Sequence, residues 1–134
     1  MQPRFLAIAE ILEIHRDQIE RHGGDYGLRD VGLLGSALAM PRAGSRGQYF
    51  HEGLQEMAAA YAFHLMRNRP FADGNKRVGA VAAVVFLKLN DVRLKPDEGG
   101  YEALIMGVAN GRTGKAEIAE FFWRNTDERC TGKR

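Results

Sequence analysis

Residues 68–90 read NRPFADGNKRVGAVAAVVFLKLN, a polar, proline-stiffened corner that runs straight into one long apolar segment. Val78, Val81, Ala82, Val85, Phe86 and Leu89 recur at spacings of three and four, the pattern of a helix face turned toward a core. Ala80, Ala83 and Val84 fill the opposite side, and a helix that is apolar all round belongs at the buried centre of its domain. Gly79, Ala80, Ala82 and Ala83 would let neighbouring helices approach closely. The pattern predicts a helix over about 74–90, closed by Asn90 in a left-handed conformation.

Working outward, Leu54, Met57, Ala58, Tyr61 and Leu65 predict an amphipathic helix over 52–68. Upstream, Ile8, Ile11, Leu12 and Ile19 predict one over 5–22, stopped by Gly23-Gly24, and Asp30 is placed to cap a short helix over 30–39 with Val31, Leu34 and Leu38 inward. Pro41 ends that helix. The stretch from Pro41 to Phe50, with Gly44 and Gly47, reads as an exposed loop or short hairpin. Downstream, Pro96 keeps a new helix from starting early. Tyr101, Leu104, Ile105 and Val108 predict a helix over 100–109, and Ile118, Phe121 and Phe122 one over 115–124. Residues 125–134 are a polar tail. Strand-like alternation is nearly absent. The expected architecture is all-α: a compact single-domain bundle of about six helices over residues 1–124, around a central buried helix, with a loop or hairpin flap.

Composition narrows the function classes. The chain has 134 residues, 45% apolar and 27% charged, which is globular and not disordered. Nineteen Lys and Arg against 17 Asp and Glu leave +2, too small an excess to argue for direct nucleic-acid binding. A single cysteine, Cys130, excludes an internal disulfide framework and an all-cysteine zinc cluster. The apolar run Phe5–Ala9 is too short for a signal-peptide core, and Val78–Leu87 falls well short of the roughly 20 residues that cross a bilayer. The expectation is a cytoplasmic protein with no membrane segment.

The corner 67–77 carries the chemistry. Gly74 removes side-chain bulk where a helix begins, and the first N–H groups of a helix lack partners and carry partial positive charge, which suits phosphate. Asn75, Lys76 and Arg77 add an amide donor, a point charge and a planar fork. Asp73 supplies a hard carboxylate oxygen of the kind Mg²⁺ accepts when it shares a site with substrate phosphates. The bland reading is that Asp73 caps the helix and Lys76 and Arg77 are solvated. Cations in a first turn oppose the helix dipole, which weighs against it.

From Pro70 to Arg77 the corner resembles the Fic/Doc family signature, His-x-Phe-x-Asp-Gly-Asn-Lys-Arg. Ile11–His15, Gly27–Asp30, Gly32–Leu34, Ser36–Leu38 and Phe86–Asn90 also resemble Doc-type toxins, and Lys76 is similar to the Doc branch, where the Fic branch carries glycine. The resemblance implies a toxin of a toxin–antitoxin pair that moves the γ-phosphoryl of ATP to a threonine of elongation factor Tu and stops translation. The alternative is the Fic reaction, AMP transfer to a hydroxyl. It further implies Mg²⁺ on Asp73, ATP phosphates on Gly74, Asn75, Lys76 and Arg77, a flap at 41–50 that clamps the target, and an antitoxin whose disordered C-terminal segment folds onto the toxin.

Arg69 departs from the signature at the position of the general-base histidine. An arginine stays protonated at working pH and takes no proton. General-base help is worth about 10²–10⁴-fold, so the chain as written is expected to be a nucleotide binder with crippled transfer, or a catalytically dead module that sequesters an antitoxin. His64 lies five residues earlier, about 500° of helical rotation, and points away from Arg69. His15 and His22 share a face of the first helix seven residues apart, the wrong spacing for paired metal ligands, and are expected at the surface or as caps. His51 reads as a helix-start residue with nucleotide or target contact as the sharper option. Arg42 and Arg46 read as solvated loop arginines, with a grip on acidic target or phosphate as the sharper option.

Overall fold

The computed structural model describes residues 2–95 and 97–127. Six helices follow in order: α1 (Ile8–His22), α2 (Val31–Ala39), α3 (Leu54–Asn68), α4 (Asn75–Leu89), α5 (Glu98–Ala109) and α6 (Lys115–Asn125). Two small ribbons accompany them: β1 (Gly44–Ser45) with β2 (Gln48–Tyr49), and β3 (Arg93–Leu94) with β4 (Thr126–Asp127), both antiparallel. The all-α bundle read from the sequence is the fold.

α3 and α4 lie against each other at the centre, with α2 and α6 on α3 and α1 on α4. The more enclosed of the two is α3, whose residues Met57–Ala62 are all buried, whereas Ala80, Val81, Val84 and Val85 of α4 are only half-buried. Small side chains explain the pairing. A Cβ on Gly79 would sit 2.9 Å from the Ala62 carbonyl, so the helices close to a distance that only glycine permits there.

Local chemistry sets the helix ends. The Asp30 carboxylate accepts from the Leu33 N–H at 3.0 Å and starts α2, and Asp97 does the same for Gly100 at 3.0 Å, so α5 begins about two residues before the apolar pattern does. Phe5 and Leu6 are not helical, because the Leu6 N–H donates to the buried Tyr61 hydroxyl at 2.9 Å. Asn90 is not left-handed as expected. Its φ is −105°, the left-handed residue is Asp91 at 63°, and the Asn90 side chain instead ties down Arg4, accepting from its N–H at 2.8 Å and donating to its carbonyl at 3.0 Å. Asn125 completes α6 and Thr126-Asp127 pair with β3, so residues 125–127 are not the loose tail expected there, and residues 128–134 lie outside the described residues. Cys130 and Pro96 lie outside the described residues.

The segment 41–50 forms the expected hairpin. Arg46 (φ 55°) and Gly47 (φ 80°) supply the two positive-φ positions that match a tight turn to strand twist. Arg42 is not merely solvated, since its guanidinium lies over the Phe5 ring at 5.2 Å. No helix among the described residues is long and apolar enough to cross a membrane.

Candidate active site

The loop from Arg69 to Gly74 joins the two central helices. It is shaped by the strap Gly23–Asp30 between α1 and α2, whose Gly23-Gly24 and Asp30 read from the sequence as a helix stop and a cap and not as partners of this loop. Leu28 bridges antiparallel to Phe71. The Arg29 and Asp30 N–H groups donate to the Pro70 carbonyl at 2.7 and 2.9 Å, and the Ala72 N–H donates to the Gly27 carbonyl at 2.9 Å. The Arg29 guanidinium closes the end of α3, donating to the Arg69 carbonyl at 2.8 and 2.6 Å and to the Asn68 carbonyl at 3.1 Å. These are orphan carbonyls of a helix terminus, and a cation suits them.

The bridge leaves the N–H and C=O of Phe71 facing away from the strap. Asn75 satisfies both: its Oδ1 accepts from Phe71 N–H at 2.9 Å and its Nδ2 donates to the Phe71 carbonyl at 3.0 Å. The residue read as a phosphate donor therefore clasps its own loop, with one amide hydrogen left over.

A cavity of about 230 Å³ opens at this corner, and Arg69, Asp73, Gly74, Asn75 and Lys76 all line it. Gly74 is left-handed (φ 83°), and a Cβ there would meet Ile19 Cδ1 at 3.2 Å. The first backbone bond of α4 runs from Val78 N–H to the Gly74 carbonyl at 2.9 Å. The N–H groups of Asn75, Lys76 and Arg77 thus have no carbonyl within the helix, and they sit at its positive end. Asp73 is exposed. Its Oδ2 accepts from Asp25 N–H at 2.9 Å, which leaves Oδ1 without a donor among the described residues. One carboxylate oxygen beside a helix N-terminus fits Mg²⁺ shared with phosphate. Among the described residues no group of three or more His, Cys, Asp or Glu side chains is assembled for an all-protein metal cage.

Arg77 is not on this cavity. It turns toward the strap, where Nη2 donates to the Gly23 carbonyl at 3.0 Å, and its buried Nε has no partner. That orphaned donor fits an anion, since leaving it unpaired costs about 1–3 kcal/mol. Lys76 and Arg77 together flank a second groove of about 630 Å³ between α4 and α5, lined by Ala80, Tyr101, Ile105 and Met106 and edged by Glu98 and Glu102. Lys76 Nζ lies 3.2 Å from the Met106 sulfur, a weak acceptor.

The histidines separate. His51 stands before the N-terminus of α3, about 22 Å of helix from the corner. Burial, then the nearby Lys115 charge, lowers its pKa. His64 lies 3.0 Å from Lys115 Nζ, and burial, Lys115 and His51 push its pKa down to about 4. It is engaged with α6 and does not replace a base at position 69. His22 is exposed in the last turn of α1. His15, expected at the surface, is 3% exposed and lies against the loop. The signal was there in the spacing: His15 lies four residues after Ile11 and four before Ile19, on the inward stripe of α1.

The fold and this corner define a helical bundle built around one loop-to-helix junction. The chain belongs to the Fic/DOC family, whose pattern it matches over residues 5–87. It is 43% identical over 75 residues to "Toxin Doc" of Mycolicibacterium smegmatis, a match spanning 56% of this chain and 58% of that one. It is 27% identical over 121 residues to "Protein kinase doc" of Escherichia phage P1, covering 90% of this chain and 94% of that one. Both relatives are Doc proteins, and the chain is a Doc-type member of the family.

Proposed function

We propose that the chain is a Doc-type toxin that transfers the γ-phosphoryl of ATP to a threonine hydroxyl of a translation factor such as elongation factor Tu, and that Arg69 silences it. The observation that carries this is the meeting of Asp73, the open N–H groups of α4 and Lys76 on one cavity with Arg69. The N–H groups and Lys76 bind the phosphates, and Arg77 adds its unpaired Nε. Asp73 holds Mg²⁺, which offsets phosphate charge. The apolar groove between α4 and α5 takes the nucleoside, with Glu98 and Glu102 as acceptors for its hydroxyl or amino hydrogens. The hairpin 44–49 holds the target segment, and the cognate antitoxin covers the toxin in the cytoplasm where the target works.

In the reaction the hydroxyl oxygen bonds to γ-phosphorus, the bond to the ADP oxygen breaks, and the hydroxyl proton leaves to a base. Position 69 is the C-cap of α3 at φ 51°, a left-handed place where histidine is enriched among non-glycine residues. Arginine at that place supplies charge and no base. The relative named a protein kinase supports phosphoryl transfer over AMP transfer. Arg69 also favours a second reading, a dead module that only sequesters antitoxin.

The test is Arg69→His incubated with elongation factor Tu, Mg²⁺ and ATP labelled at the γ or the α phosphate. Label arriving from γ-labelled ATP, at least about 100-fold faster than with the unsubstituted chain, is expected. Label from the α position alone would make it an AMP transferase. Transfer of neither by a folded protein would favour the binding module.

A further inference from the structure

We propose that His15 is a positioning residue for the phosphate corner: from α1 it holds the Asp73 carbonyl and the Phe71 ring so that the first N–H groups of α4 stay open to an anion. The role rests on the reading of that corner as a nucleotide-phosphate site.

His15 Nε2 lies 2.9 Å from the Asp73 carbonyl oxygen. A carbonyl only accepts, so the proton is on Nε2. The ring lies flat on Phe71, with centroids 3.8 Å apart and planes 8° from parallel. Counting four residues back from Arg77 gives Asp73, so this carbonyl is the one the Arg77 N–H would take if α4 began one residue earlier. The left-handed turn at Gly74 diverts it, and His15 receives it. Two things follow. The terminal N–H groups stay available, and the backbone that bears the Asp73 carboxylate is pinned from a separate helix. His15 Cδ2 also lies 3.7 Å from where a Gly74 Cβ would be, so the ring supports the turn as well as the loop. Packing alone would require the stack on Phe71. It would not require a directed bond to the backbone of the carboxylate residue.

Two variants separate donor from ring. His15→Phe keeps an aromatic on Phe71 and removes the N–H. His15→Gln removes the ring and keeps a donor where Nε2 stood. Each full-length chain is titrated with magnesium-ATP by calorimetry, and amide hydrogen exchange is followed without nucleotide. His15→Phe is expected to melt within a few degrees of the unsubstituted chain, to bind about 10- to 100-fold more weakly, and to exchange faster at Gly74–Arg77, and His15→Gln to recover most of the affinity. Binding by His15→Phe within twofold of the unsubstituted chain would overturn the proposal, as would affinity losses that merely track melting temperature in both variants. If His15→Phe does not fold, His15→Gln against His15→Asn makes the same comparison, because only the longer amide reaches Asp73. An unsubstituted chain that takes up no magnesium-ATP refutes the phosphate reading itself, and the positioning role falls with it. Failure confined to the variants refutes the role of His15 alone.

Discussion

Asn75→Ala is the sharpest perturbation of the corner. Phe71 is 2% exposed, and its N–H and C=O depend on Asn75 at 2.9 and 3.0 Å because the strap already occupies the other edge of the loop. Each hydrogen bond contributes about 0.5–1.5 kcal/mol net, and an orphaned buried group costs about 1–3 kcal/mol. Alanine returns up to about 0.7 kcal/mol of helix propensity. The balance is a loss of about 2 kcal/mol, which for a chain of this size lowers Tm by roughly 5–10 °C. Calorimetric melting and urea unfolding at neutral pH measure it. The magnesium-ATP affinity should fall in the same variant, since the corner that presents α4 is no longer fixed. A melting point within about 2 °C of the unsubstituted chain would refute the reasoning, because the strap alone would then be holding the loop.

Gly79→Val should be more damaging than its distance from the cavity suggests: its side chain would press on the Ala62 carbonyl, which a Cβ already approaches to 2.9 Å, and overpacking costs about 1–3 kcal/mol, read as a lower urea midpoint. Tyr61→Phe removes the acceptor of the Leu6 N–H and should cost about 1–3 kcal/mol in thermal melts, with the N-terminal residues losing exchange protection first. For His64 the sign follows from a folded pKa of about 4 against 6.5 unfolded: the unfolded chain takes the proton first, so stability falls as pH drops from about 6.5 toward 4. His64→Gln should shrink the difference in Tm between pH 7.5 and pH 5, leaving the part that His51, also lowered, contributes. An undiminished difference would remove His64 from that account.

Much of the bundle is legible because three- and four-residue spacing is a property of single helices. Met57, Tyr61, Leu65, Val78, Ala82 and Phe86 are each inward where the pattern puts them. The β3–β4 ribbon was not legible, since two-residue strands have no periodicity to read. Asn90 misled for a related reason. Its amide bonds Arg4, 86 residues away, and that partner outweighs the local preference for a left-handed cap.

By itself the sequence determined the elements and one chemical corner. Asp73, Gly74 and Lys76 are neighbours along the chain, so their convergence needs only a turn at the start of a helix. Tertiary structure decided what each group is free to do. It turned Arg77 toward Gly23 and brought His15 of α1 across 58 residues of chain to the Asp73 carbonyl. Such assignments depend on which donors and acceptors remain unpaired once α1, the strap and α4 are packed, and pairing across distant segments leaves no local pattern in the residues involved.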